Sequence, residues 1–114
     1  MNIKIFKTKV QKSELDELAR SLYGEMVKGV VDIERKIIAL GGEFHADAER
    51  VLLEDGSKQM NLWGFNIYVQ KNKDERIEYT SLINIRPKQG NSQIEVKDEK
   101  LRNQMKVIID SLVD

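Results

Sequence analysis

There is no cysteine in these 114 residues, which excludes a disulfide framework and any thiolate metal centre and suits a cytoplasmic protein. Net charge is missing too. Nineteen Lys and Arg side chains are balanced by nineteen Asp and Glu, so no overall field draws the chain to nucleic acid or anionic lipid, and neither is expected as a partner. No apolar run approaches the length of a membrane span, and the stretch from Met1 to Lys7 lacks the apolar region of a secretion signal. A soluble, unexported protein is the expectation. The patterns of a phosphate-binding loop, a dinucleotide fingerprint, a metal-binding histidine pair on a helix and a serine elbow are all absent. That disfavours the enzyme classes with local signatures, and no cofactor is expected. Repeats, low-complexity tracts and interdomain linkers are absent as well.

What is present describes one ordinary globular domain over residues 1–114. Apolar residues make up 40% and charged residues 33%, enough for a core without covalent staples. Ile3 and Ile5 alternate with polar neighbours in a short edge strand. Leu15, Leu18, Ala19 and Leu22 recur at helical spacing behind Ser13 as N-cap, with Gly24 placed to end that helix. Two β-branched runs, from Val27 and up to Leu40, flank a charged turn at Glu34 and Arg35 and read as a hairpin. Ile37 to Leu40 is apolar on both sides, as a central strand covered on both faces would be. Asp32, within the first run, is read as an outward-facing strand residue rather than a buried acid.

After Gly41 and Gly42, Asp47 is expected to cap a short helix whose inner face holds Ala48, Val51 and Leu52. Trp63, Phe65, Ile67 and Val69 then alternate with polar residues, with the aromatic side as core. A second strand runs from Ile77 until Pro87 stops it, pairing with the first so that Asn66 faces Thr80. Asp98 opens a last helix with Leu101, Met105, Ile108, Ile109 and Leu112 on one face. The expected order is β-α-β-β-α-β-β-α: an α+β fold with a mainly antiparallel sheet of about five strands, packed by an N-terminal and a C-terminal helix.

Two stretches carry candidate chemistry. Glu43, His45 and Asp47 alternate around the only histidine. If extended, they share one face as an acid–imidazole–acid cluster, suited to proton transfer and, as a lesser variant, to a metal. Asn84 and Arg86 lie two apart at a strand end before the Gly90–Asn91 loop, with Asn66 and Tyr68 on the neighbouring strand. A guanidinium fork beside loop amides suits a carboxylate or phosphate. Against each stands a structural role: Arg86 pairing with an acid, Asn84 tying down the loop, and His45 bonding a carbonyl.

The segments Val30 to Glu34, Gly41 to Asp47, Gly56 to Asn66 and Ile83 to Asn91 resemble a small prokaryotic family known as a domain of unknown function. The resemblance implies a stand-alone cytoplasmic protein of this size and brings no catalytic residues with it. Three functions follow from the residues themselves. The first is a binding domain for a small anionic ligand or an acidic partner segment, using Asn66, Tyr68, Asn84, Arg86, Gly90 and Asn91. The second is a small hydrolase or ribonuclease-like enzyme, with Glu43 as base, His45 as acid and Arg86 stabilising developing charge. The third is a regulatory or structural homo-oligomer joined through a strand edge or the last helix.

Overall fold

A computed structural model describes residues 2–114. The elements are β1 (Ile3–Phe6), α1 (Lys12–Leu22), β2 (Met26–Asp32), β3 (Ile37–Gly41), α2 (His45–Glu54), β4 (Leu62–Tyr68), β5 (Ile77–Glu78) and α3 (Glu99–Leu112). This is the order that the periodicity predicts. The five strands form one antiparallel sheet in the order β1-β3-β2-β4-β5.

Period-two alternation sorts the sheet into two faces and fixes where each helix packs. Val27, Val31, Ile38, Leu40, Trp63, Phe65 and Ile67 point to one side, where Leu15, Leu18 and Ala19 of α1 and Met105, Ile108, Ile109 and Leu112 of α3 cover them. The main core lies there. Val30, Ile37, Ala39 and Leu62 point to the other side, against Ala48 and Leu52 of α2. Thus β3 is buried on both faces, as its unbroken apolar run requires, and each fully buried Leu or Ile contributes about 1.5–3 kcal/mol.

Several boundaries have a local chemical cause. Gly24 adopts φ +84° and ends α1, and Asp98 accepts a hydrogen bond from the Lys100 amide to start α3. The β2–β3 turn is held by Asp32, whose Oδ1 accepts from the amides of Glu34 and Arg35, both at 2.9 Å. Asp32 is fully buried. The outward-facing reading of this residue is therefore corrected: its carboxylate replaces the Asn-Gly chemistry that the turn lacks.

The second hairpin departs from expectation. Asn66 pairs with Glu78 rather than Thr80, and β5 ends at Glu78 instead of running to Arg86. Beyond it, Ser81 accepts from the Ile83 amide and turns the chain into a single 3-10 turn at Leu82–Asn84. Asn84 then takes over the pairing. Its side-chain amide accepts from Gly64 N–H at 2.8 Å and donates to Gly64 C=O at 3.0 Å, doing for β4 what a backbone neighbour would. A Cβ on Gly64 would lie 2.5 Å from the Ser81 Cβ, so only glycine lets this segment close on the sheet.

Candidate functional site

The turn that replaces the end of β5 leaves a cavity of about 350 Å³ between itself, the start of α2 and the polar end of the α2 face of the sheet. That is at the small end of the range for ligand pockets, about 300–1,000 Å³. Lys28, His45, Asn66 and Thr80 give it polar walls, while Phe44, Leu82, Ile83 and Ile94 form its apolar side. The sheet register explains the polar part. Lys28 lies opposite Asn66, and Asn66 lies opposite Glu78, so three polar side chains cross three adjacent strands in one row.

His45 is the first residue of α2 and is 8% exposed. Its Nε2 lies 2.8 Å from the Phe65 carbonyl, which can only accept, so Nε2 carries the proton and Nδ1 keeps the lone pair. Burial holds the imidazole below its ordinary pKa. The hydrogen bond to Phe65, the Asn66 side chain and the Glu78 charge oppose that shift, and the nearby Lys28 ammonium adds to it. At neutral pH the ring is uncharged.

Asn66 is equally buried, at 8% exposure. Its Nδ2 donates to Glu78 Oε1 at 2.8 Å, and since a carboxylate has no proton to give, this fixes the amide's orientation. The Oδ1 atom is almost without accessible surface and makes no hydrogen bond of good geometry, but the side chain lies close enough to His45 to favour the protonated imidazole. Lys28 is half-buried, and its ammonium sits 5.6 Å from the centre of the Tyr23 ring. Among the described residues no carboxylate forms an ion pair with it. The N-cap of α2 is Phe44, which offers no side-chain acceptor to the first-turn amides. An unpaired cation and an uncapped positive helix end thus border the same small cavity.

The acid–imidazole–acid cluster does not form. Helix α2 begins at His45, two residues before the expected cap, so residues 43, 45 and 47 do not share an extended face. Glu43 is exposed, its backbone carbonyl accepting from the Tyr23 hydroxyl, and Asp47 pairs with Arg50 at 3.2 Å. Among the described residues, no three acidic or histidine side chains converge as a metal site.

The strand-end residues are bound up in the fold. Arg86 donates to the carbonyls of Ile83, Gln59 and Leu62, pairs with Glu49 at 3.2 Å and stacks 4.7 Å from the centre of the Trp63 ring. Burial works against its charge and Glu49 supports it. Asn84 is fully buried on Gly64 and the Ile94 carbonyl. Asn91 donates to the carbonyls of Asn84, Gln93 and Glu95 and accepts from the Lys97 amide. Gly90 makes a left-handed turn, and its amide bonds the Pro87 carbonyl rather than contributing to a nest. Tyr68 donates to Glu78 and lies under Lys71, lining a separate depression.

Of the expected site residues, the structure brings His45 and Asn66 together in one cavity and places Arg86 in a neighbouring depression beside Glu49. Lys28 was not anticipated. Only the β2–β4 pairing carries it to Asn66, and those strands are separated in sequence by β3 and α2. A broader groove of about 640 Å³ between the β2–β3 turn and α3 holds Lys36, Lys100 and Val107 but none of the buried polar residues. Among the described residues, no helix is long and apolar enough to cross a membrane.

The chain belongs to the family described as protein of unknown function (DUF5674), which it matches over residues 4–112. No curated protein and no solved structure matches it.

Proposed function

We propose that this domain binds a small anionic ligand in the cavity at the start of α2, with the ligand's negative group held by the Lys28 ammonium and the first-turn amides of the helix. One observation carries the reading: Lys28, without a carboxylate partner among the described residues, and the start of α2, without a side-chain cap, border one cavity of about 350 Å³ that Asn66 also lines. The reading keeps the anion expected from the sequence and moves its site from Arg86 to Lys28. Proton transfer among Glu43, His45 and Arg86 has less support, because Glu43 is exposed and Arg86 is engaged with Glu49.

Two-dimensional NMR of the labelled protein with acetate, longer carboxylates and inorganic phosphate tests it. The expected responses are at the His45 Nε2–H, the Ala46 amide and the Asn66 side-chain amide. Lys28→Met retains most of the apolar stem and removes the charge. It should weaken binding by about tenfold or more, with stability changed by no more than about 0.5 kcal/mol. Responses centred instead on Arg86 and Asn91, or affinity indifferent to Lys28→Met, would overturn the assignment.

A further inference from the structure

We infer that the open groove between the β2–β3 turn and α3 is a docking surface for an acidic, partly apolar segment of another protein, with Lys36 and Lys100 as its charged anchors. The groove measures about 640 Å³ and shares no lining residue with the cavity at the start of α2.

Its charge is one-sided. Lys36 stands on the turn wall and Lys100 on the helix wall, and no acidic side chain lines the space between, in a chain whose acids and bases are equal in number. Among the described residues neither lysine forms an ion pair. The other charged residues of the turn are engaged elsewhere: Glu34 accepts from Asn61, and Arg35 donates to Ser57 and Asp55.

Both lysines also occupy positions that the local structure disfavours. Among the described residues, Lys36 is the one non-glycine residue in the left-handed region, at φ +59°, a turn position that glycine or asparagine fills with less strain. Lys100 is the second residue of α3, at the positive end of the helix dipole, where an acid is favoured and a cation is not. Three and four residues on stand Asn103 and Gln104, so no carboxylate on that face offsets it. Side chains held against local preference, with nothing in the fold to compensate them, point to an interaction outside the chain.

Between the lysines the groove is apolar. Val107 is 69% exposed, with Ile33 and Ile108 beside it. Along the helix axis Val107 lies about 10 Å from Lys100, a span that suits a peptide segment bringing carboxylates to the walls and an aliphatic side chain to the floor. Nucleic acid is a poorer fit, because the groove holds no arginine and no aromatic ring, and two cations neutralise few phosphates.

The probe is an acetylated, amidated peptide of repeated Glu-Glu-Leu-Leu, followed through the amide shifts of the isotope-labelled full chain. Shifts should centre on Ile33, Lys36, Asn103 and Val107, while His45 and Ala46 stay still. Replacing the peptide's glutamates by glutamine, or its leucines by serine, should weaken binding at least about tenfold. Lys36→Asn and Lys100→Gln should each weaken it about two- to fivefold. A purely structural Lys36 would make the first variant less stable; here Lys36→Asn should keep or raise the thermal midpoint, since asparagine tolerates the left-handed turn. The inference is overturned if the glutamine peptide binds as well as the glutamate one, if the shifts gather at His45 and Ala46, or if Lys36→Asn lowers the midpoint and leaves affinity intact. It is equally overturned by a thymidine oligonucleotide that binds the same amides more tightly than the peptide. Concentration-dependent self-association abolished by Lys36→Asn would make a second copy the occupant and overturn it too.

Discussion

Removing the Arg86 side chain should damage the fold rather than any binding function, and the structure sets the size of the damage. In the Arg86–Glu49 pair the two side chains are only 11% and 12% exposed. Arg86→Ala strands the Glu49 carboxylate in a desolvated place. It also takes donors from the carbonyls of Ile83, Gln59 and Leu62 and exposes the Trp63 ring on which the guanidinium lies. Breaking a buried pair by deleting one partner costs about 3–5 kcal/mol. A domain of this size has about 5–15 kcal/mol in all, so the variant should fold but with little margin. At roughly 4 °C per kcal/mol, the thermal midpoint should fall by about 12–20 °C in calorimetry. Arg86→Lys keeps a charge near Glu49 but loses the planar fork that reaches three carbonyls, so its loss should be intermediate. Adding Glu49→Gln to Arg86→Ala should recover part of the loss, since the stranded charge is then gone. A midpoint for Arg86→Ala within about 2 °C of the parent would refute the structural role and return Arg86 to candidacy as an anion site.

His45 makes the stability pH-dependent with a definite sign. Its folded pKa is lowered by burial from the ordinary 6.5, so above that value neither state holds the proton and the group contributes no slope. As pH falls through 6.5 the unfolded chain takes up a proton that the folded chain refuses. Stability then declines, by at most about 1.4 kcal/mol per pH unit, until the folded imidazole also titrates. Urea midpoints from pH 8 to 5 should show this decline in the parent and less of it in His45→Gln, the chain having no other histidine. Equal slopes would contradict the assignment. Gly64→Ala should cost about 1–3 kcal/mol in urea unfolding, because the new Cβ meets Ser81 Cβ at 2.5 Å and Ile83 at 3.1 Å. Ser81 and Ile83 also line the cavity, so the same variant should weaken ligand binding, and undiminished affinity would mean the segment yields without reshaping it.

The fold was legible in the sequence wherever a single periodicity governed a long enough run. The four-residue apolar stretch Ile37 to Leu40 fits a strand covered on both faces, and α2 on one side with α1 and α3 on the other supplies the cover. Trp63, Phe65 and Ile67 are buried as their alternation requires. What periodicity concealed was the end of β5. Ile77, Tyr79, Ile83 and Ile85 keep the rhythm of a strand, but the backbone has left the sheet after Glu78. The deciding force is not propensity but the side-chain amide of Asn84, which satisfies both polar groups of Gly64. A hydrogen bond that imitates the backbone leaves no trace in hydrophobic spacing.

The same event explains why the candidate site was only half visible. An extended β5 would have carried Asn84 and Arg86 on past the start of β4, on the same flat face as Asn66 and with no enclosed volume. Turning the chain at Ser81 draws Asn84 inward as a structural group and sends Arg86 to Glu49. It also brings Leu82 and Ile83 over toward Phe44, which encloses space above Asn66. His45 reaches that space only because α2 starts at its own position, one residue beyond an N-cap whose side chain offers no acceptor. Lys28 reaches it through the pairing of β2 with β4, two strands distant in sequence, which sets Lys28 opposite Asn66. Residue type singled out His45 and Asn66; long-range register and one side-chain amide determine what stands beside them. The cavity is thus a consequence of how β5 ends, and a substitution that restored strand pairing past Glu78 should remove it without touching a single residue proposed to meet the ligand.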